Sequence, residues 1–390
     1  MKHHTIVIGA GPIGLAAASH LVASGIDVLV LESGPDPAHN IRDWSHVRLF
    51  TDWASMIDTT SQGLLEATGW TAPPTLEYPS GGELIERYLE PLAELHRDRI
   101  RYEHRVVAVS RENKDKVVSA DRSDSPFLLR VETKDGVQEF LSAFVIDASG
   151  TWTTPNPMGA DGLPTIGEEA STRIRYGIPD VLGRERDRYR GRRVLVVGAG
   201  HSAANALLDL TELALTESGT QPLWAIRRPD PTKAYGAMEG DELPARGKVG
   251  IELRQRVEDG RIELESDFLI RSLDESSGTV RVVGSASDGS TSVVEVDEVV
   301  VATGQRPALD MTRELRLDLD PWLEAPAKLA PLIDPNVHSC LTVPPHGIEQ
   351  LSHPEPGFFT IGIKSYGRAP TFLMATGYKQ VSSVVESIAS

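Results

Sequence analysis

Uninterrupted apolar runs that close on glycine recur along this 390-residue chain, and they set its architecture. Residues 5–9 (Thr5-Ile6-Val7-Ile8-Gly9) predict a buried strand, because no polar position alternates within the run. The alanine-rich stretch 12–24 predicts a helix, and Asp27 to Leu31 predicts a second strand that ends at Glu32. Together they make one βαβ unit. Gly34 to Asn40 is a proline-containing loop, and Asp43 to Trp53 carries Trp44, His46 and Trp53 without a clear period. An amphipathic helix is expected over Glu83 to Leu95, with Leu84, Tyr88, Leu92 and Leu95 on one face and Ser80 as its cap.

Residues 103–146 then read as a meander, with Val106 to Val109, Phe127 to Thr133 and Phe140 to Ile146 as its clearest strands. The polar stretch Glu112 to Ser125 between the first two reads as a solvent-exposed hairpin excursion. Pro155, Pro157, Gly159 and Gly162 mark a boundary where a linker begins. A second βαβ unit runs from Arg193 through a helix, Ala203 to Thr216, into the strand Leu223 to Ile226. Short strands follow at Arg261 to Glu265, Thr279 to Gly284 and Ser292 to Val296, before Glu298-Val299-Val300-Val301-Ala302-Thr303-Gly304. That last phrase matches Val145-Ile146-Asp147-Ala148-Ser149-Gly150 at the same place in the first half. The chain therefore holds a divergent repeat of two units rather than a solenoid. A strand at Phe358 to Ile363, a polar turn and a helix from Phe372 close it.

The two glycine phrases carry the candidate chemistry. In Gly9-Ala10-Gly11-Pro12-Ile13-Gly14, the first glycine suits a tight turn, the second admits a pyrophosphate to the backbone, and the third lets helix and strand pack closely. The helix start supplies unpaired amides and a positive dipole end. Glu32 lies at the spacing where an acid accepts hydrogen bonds from a ribose, and its charge repels a 2′-phosphate. The second phrase, Gly198-Ala199-Gly200-His201-Ser202-Ala203, has alanine in place of the third glycine. Its second strand ends in Arg227-Arg228 instead of an acid, which favours NADPH over NADH, because guanidinium groups match phosphate oxygens.

Composition removes several alternatives. A net charge of -17 disfavours nucleic acid and anionic membranes as partners of the whole surface. Cys340 is the single cysteine, so the chain can form no internal disulfide, no CxxC redox pair and no thiolate zinc site. No metal ligand set is expected. The start, Met1-Lys2-His3-His4 before an apolar run, has the outline of a signal peptide, but glycines interrupt the run and no cleavage pattern follows. A cytoplasmic enzyme, monomer or homodimer, with no membrane span, is the expectation.

The two fingerprints, the phrase Ala148-Ser149-Gly150-Thr151-Trp152-Thr153-Thr154-Pro155 and the phrase Ala302-Thr303-Gly304 resemble the layout of flavin-containing monooxygenases and their two-dinucleotide flavoprotein relatives. Tyr78 to Leu95 also resembles the helix-opening segment of that group. The resemblance implies an α/β fold of two Rossmann-like domains, each a three-layer ββα arrangement, with FAD in the first and NADPH in the second. The FAD domain is then split, residues 1–157 and 299–390, around an NADPH domain of residues 158–298. Candidate flavin contacts are Gly9, Gly11, Pro12, Ile13, Gly14, Glu32, Ser33, Val107, Ala148 and Gly150. Those for NADPH are Gly198, Gly200, His201, Ser202, Ala203, Arg227 and Arg228, with Thr303 and Gly304 in the second repeat phrase.

One departure is plain: the aromatic-glycine-histidine pattern that identifies the monooxygenases has no counterpart in Thr165 to Arg192, which contains no histidine. A disulfide reductase is excluded more firmly, because the cysteine pair it requires is absent. The expected activity is oxygen insertion into a small heteroatom or carbonyl substrate through a flavin hydroperoxide, with dioxygen as co-substrate. The alternatives are an NADPH-dependent reductase or oxidase that serves a quinone, metal or protein acceptor, and a nonenzymatic nucleotide sensor. The cofactor performs such chemistry, so no catalytic triad is required. Trp53, His46 and Arg368 are the candidate catalytic residues: His46 as a donor to a flavin oxygen, Arg368 as a charge beside reduced flavin. The loop Tyr235 to Gly247 is positioned to cover the nicotinamide.

Overall fold

The apolar runs become interior strands of two sheets, the first mixed and the second all parallel, in a computed structural model that describes residues 2–276, 278–338, 343, 346–370 and 372–390. Cys340 lies outside the described residues. The chain divides into a first unit, Met1–Ser45, Thr51–Thr154 and Arg306–Ser390, and a second, His46–Phe50 and Pro155–Gln305.

In the first unit, β1 (Lys2–Ile8), β2 (Val28–Leu31), β3 (Ile100–Arg101), β4 (Arg105–Arg111), β5 (Phe127–Thr133) and β6 (Gly136–Asp147) form a sheet in the order β3-β2-β1-β6-β5-β4. The strand Phe358–Thr360 adds to β6 in parallel. β6 does two jobs because it is long: its end pairs in parallel with β1, Val7 opposite Ile146, while its start pairs antiparallel with β5. β2 is buried throughout, as a strand covered on both faces must be. On β5 only alternate residues, Phe127, Leu129 and Val131, are fully buried; they pack under Ile6, Ile8, Leu29 and Leu31.

The second unit repeats the scheme. β7 (Ile174–Tyr176), β8 (Arg193–Val197), β9 (Gln221–Ala225), β10 (Glu263–Glu265) and β14 (Glu298–Val301) form an all-parallel sheet in the order β10-β9-β8-β14-β7. β11 (Leu269–Ser276), β12 (Thr279–Ser285) and β13 (Thr291–Val296) form an antiparallel meander. Strand alternation builds three layers: Val194 and Val196 pack with Ala203, Leu207 and Leu210 of the helix His201–Thr216, whereas Leu195 and Val197 pack with Phe268, Val280 and Val282 of the meander side. β14 straddles the boundary expected after residue 298; hydrogen-bonded between β8 and β7, it belongs to the second unit, which runs to Gln305.

Three local expectations change. The helix expected over Glu83 to Leu95 begins at Gly81, with Ser80 and Glu83 forming a reciprocal capping box, and it widens to a π turn at Ile85–Leu89. Pro91, in the first turn of the segment Glu90–Leu95, supplies no N–H to the carbonyl of Arg87, and the Trp70 indole donates to that carbonyl at 2.9 Å instead. The stretch Glu112 to Ser125 forms no hairpin strands and is not wholly solvated: Arg122 is 4% exposed and donates to Glu355 at 2.8 Å. A helix not expected at all, Pro244–Glu258, starts inside the polar loop Tyr235 to Gly247. Among the described residues no helix is long and apolar enough to cross a membrane.

Candidate functional site

The first fingerprint follows β1. Gly9 has φ +99, and a Cβ there would lie 2.9 Å from the Ala148 carbonyl oxygen, so both conformation and space call for glycine. The turn thereby presses on the end of β6, whose Ala148 N–H donates to Ile8 at 3.0 Å; Gly150 follows two residues on. A Cβ on Gly14 would stand 2.0 Å from the Gly9 carbonyl oxygen, so helix and strand close on each other there. Gly11 differs: nothing lies within 4 Å of its Cβ position. It opens the helix Pro12–Ala23, which no side chain caps, and Pro12 has no N–H to satisfy. An open cradle at an uncapped helix start fits a phosphate group.

Glu32, 8% exposed, is already engaged. It accepts from the Ala10 N–H at 2.7 Å, the Gly34 N–H at 2.7 Å and the Ser33 hydroxyl at 3.2 Å. A carboxylate has about four acceptor positions, so room remains for about one ribose hydroxyl. Val107 is the extra residue of a bulge in β4, between Val106 and Ala108, which leaves it without a register partner on β5. Ile13 packs beneath the returning C-terminal segment: Cβ atoms on Gly362 and Gly377 would lie 3.3 and 2.5 Å from its side chain.

The second fingerprint repeats this geometry. Gly198 has φ +137, and its Cβ would lie 2.3 Å from the Ala302 carbonyl oxygen, while Gly200 faces open space. Ala203 is fully buried, its methyl standing where the first fingerprint has Gly14. The helix His201–Thr216 begins uncapped at Gly200, with Ser202 half-buried in its first turn. The Trp224 indole fixes the turn by donating to the Gly198 carbonyl at 2.7 Å. Thr303 donates to the Asn156 carbonyl at 2.6 Å, and the Asn156 N–H donates to Gly304 at 2.9 Å, which ties the second repeat phrase in place. The His201 ring meets the Phe50 ring edge-on at 5.1 Å. Desolvation of the ring, then Arg246, holds that imidazole below its ordinary value. Arg227 and Arg228 are exposed; Arg227 donates to the Ala160 carbonyl at 3.1 Å, and among the described residues neither joins an ion pair.

Of the candidate catalytic residues, Trp53 and Arg368 belong to the first unit and His46 to the second. Trp53 is 1% exposed, with the Arg87 guanidinium 5.4 Å from its ring centroid, so it serves the core of the first unit. His46 belongs to the second unit, where burial lowers its pKa and Asp180 partly opposes the shift. Arg368 forms a two-point ion pair with Glu324, at 2.9 and 3.1 Å, and its charge is committed there. In the segment Tyr235 to Gly247 the two end residues are buried, and Cβ atoms on Gly247 and Gly250 would lie 2.2 and 1.9 Å from the carbonyl oxygens of Met238 and Tyr235. Sequence reasoning passed over a buried ion pair, Lys364 with Asp147 at 2.7 Å. Its signal was an acid closing an apolar strand in one repeat phrase, where the other has Val301.

Two ββα units, each with a glycine cradle at the carboxyl edge of its parallel sheet, define a protein with two dinucleotide-binding domains, an arrangement of oxidoreductases. The pattern of the pyridine nucleotide-disulphide oxidoreductase family matches residues 6–341, and the chain belongs to that family. No curated protein matches it in sequence. Among solved structures, the bacillithiol disulfide reductase Bdr (YpdA) from Bacillus cereus is similar at TM-score 0.73 and 18% identity, over 100% of this chain and 99% of that one. DfoA, the FAD-bound cadaverine monooxygenase from Erwinia amylovora, is similar at TM-score 0.67 and 16% identity, over 100% and 95%. The ornithine hydroxylase PvdA from Pseudomonas aeruginosa is similar at TM-score 0.63 and 16% identity, over 100% and 99%. At these identities the likeness is one of fold.

Proposed function

We propose that this chain is an NADPH-dependent FAD oxidoreductase, with FAD in the first unit and NADPH in the second, and that it is a monooxygenase of a small heteroatom or carbonyl substrate. The unlike strand ends carry this reading. Glu32 is an acid held inside the first cradle, whereas Arg227 and Arg228 are exposed cations without an ion-pair partner among the described residues, beside the second. A ribose hydroxyl suits the acid and a 2′-phosphate suits the arginines. Bound NADPH and FAD would supply the hydride-transfer chemistry, and the protein supplies position and exclusion of water. With one cysteine in the chain, no internal cysteine pair can relay electrons, so reduced flavin would have to serve the acceptor directly. The fold shared with DfoA and PvdA supports dioxygen as that acceptor.

A second reading, a reductase or oxidase that serves a quinone, metal or protein acceptor, is favoured by the similarity to the disulfide reductase Bdr. Rapid mixing separates the two. After anaerobic reduction with NADPH, dioxygen should produce a transient absorbance unlike either oxidised or reduced flavin, and an oxygenated product when substrate is present. Direct return to oxidised flavin with no product would sink the monooxygenase reading.

Replacing Arg227 and Arg228 together by alanine should weaken NADPH ~10- to 100-fold, equivalent to about 1.4–2.8 kcal/mol of charge-assisted hydrogen bonding. NADH should change little. Equal losses for both nucleotides, measured as the KM for each, would remove the phosphate role.

A further inference from the structure

We infer that Lys364, held against Asp147 and Ser149 at the carboxyl edge of the first sheet, is a positioning residue that tunes the reduction potential of the flavin in that unit. This rests on the assignment of FAD to the first unit. Asp147 is the last residue of β6, and Lys364 follows the strand Phe358–Thr360, which lies parallel to β6 with Thr360 opposite Asp147. Both therefore emerge at the edge where open parallel sheets bind their ligands. The two side chains are 2% and 0% exposed and 2.7 Å apart.

Ser149 joins them. Its N–H and hydroxyl donate to Asp147 at 3.1 and 2.6 Å, and its hydroxyl oxygen accepts from Lys364 at 3.0 Å. The same residue lies against the fingerprint, where a Cβ on Gly9 would stand 3.1 Å from the Ser149 Cα. The ammonium is thus one residue removed from the turn that shapes the cradle. Among the described residues Lys364 is the one cation paired with Asp147. Nearby Tyr366 is buried, its phenol pushed up to about 12, so it adds no charge, and its ring lies 5.7 Å from that of His346.

A buried ion pair is a poor source of stability, since apolar residues of similar volume often serve as well. Its field, however, acts at short range in a medium of low dielectric. Hydride transfer converts FAD and NADPH to FADH⁻ and NADP⁺, so the ring gains a negative charge that Lys364 stabilises and Asp147 opposes. The pair balances the two oxidation states; either group alone does not.

The test is the midpoint potential of the bound flavin, measured by spectroelectrochemistry across the pH range in which an isolated carboxyl or ammonium ionises. Lys364→Met should weaken reduced relative to oxidised flavin about tenfold, a fall of about 30 mV for a two-electron couple. Asp147→Asn should shift the potential upward by a similar amount, and the doubly neutral Lys364→Met with Asp147→Leu should lie near the wild type. A purely structural pin predicts instead that all three variants lose flavin or thermal stability while any retained flavin keeps its potential; that result, or both single variants shifting the same way, overturns the inference. If Lys364→Met retains no flavin, Asp147→Asn decides alone: a rise supports the inference and no change overturns it. A wild-type protein that binds no FAD overturns the underlying assignment as well, and is told apart by its lack of colour.

Discussion

Gly11→Val yields a folded protein that does not retain FAD. The fold should survive, because Gly11 has φ -79 and ψ -176, an extended conformation open to valine, and no atom stands within 4 Å of the new Cβ. The branched side chain instead fills the space where the pyrophosphate approaches the amides of the helix start. Losing two charge-assisted hydrogen bonds of about 1.5 kcal/mol each weakens FAD ~100-fold. Gly14→Val is the contrasting control. Its Cβ would collide with the Gly9 carbonyl oxygen at 2.0 Å, so this variant should lose thermal stability whether or not FAD is present. Flavin content by absorbance, with melting temperature of the apo protein, separates the two; a yellow, fully loaded Gly11→Val protein would remove the cradle from the first fingerprint.

Glu355→Ala should be the most destabilising single change outside the glycine turns. Glu355 is 1% exposed and accepts from Arg111 at 2.8 Å, from Arg122 at 2.8 and 3.1 Å and from the Arg316 N–H at 3.1 Å. Removing the carboxylate strands two buried guanidinium groups, a loss of about 3–5 kcal/mol. Although burial pushes the Glu355 carboxyl up, hydrogen bonds from Arg122 and Arg111 outweigh it and hold the pKa below the ordinary value. A depressed pKa gives stability that is present above the unfolded-state value and lost as pH falls through the folded one. The gap between wild type and variant in urea unfolding should therefore be full at neutral pH and narrow below about pH 4. A gap that does not change with pH would show that the carboxylate charge is not what matters.

The central parallel strands β1, β2, β8, β9 and β14 were legible from their apolar runs, and the cradles because a glycine turn, a strand and a helix stand in fixed register; the short edge strands β3 and β7, interrupted by Arg101 and Arg175, were not. Elements whose reason is tertiary were not. Gly247 and Gly250 are poor helix formers, yet in the helix Pro244–Glu258 they let it lie against the carbonyls of Met238 and Tyr235. Arg122 sits in a polar stretch that reads as solvated, and its carboxylate partner is more than two hundred residues away. His46 and Trp53 are close in sequence, but His46–Phe50 packs in the second unit while Trp53 is core in the first. The Lys364–Asp147 pair is equally long-range: only the parallel pairing of Phe358–Thr360 with β6 makes the two neighbours.

Anaerobic titration of the purified protein with NADPH tests most directly whether two unlike dinucleotides work in one chain. The expected result is a yellow protein with one FAD per chain whose visible absorbance bleaches on addition of one equivalent of NADPH, and far more slowly with NADH. A colourless protein, or a yellow one that neither nucleotide bleaches, would contradict it.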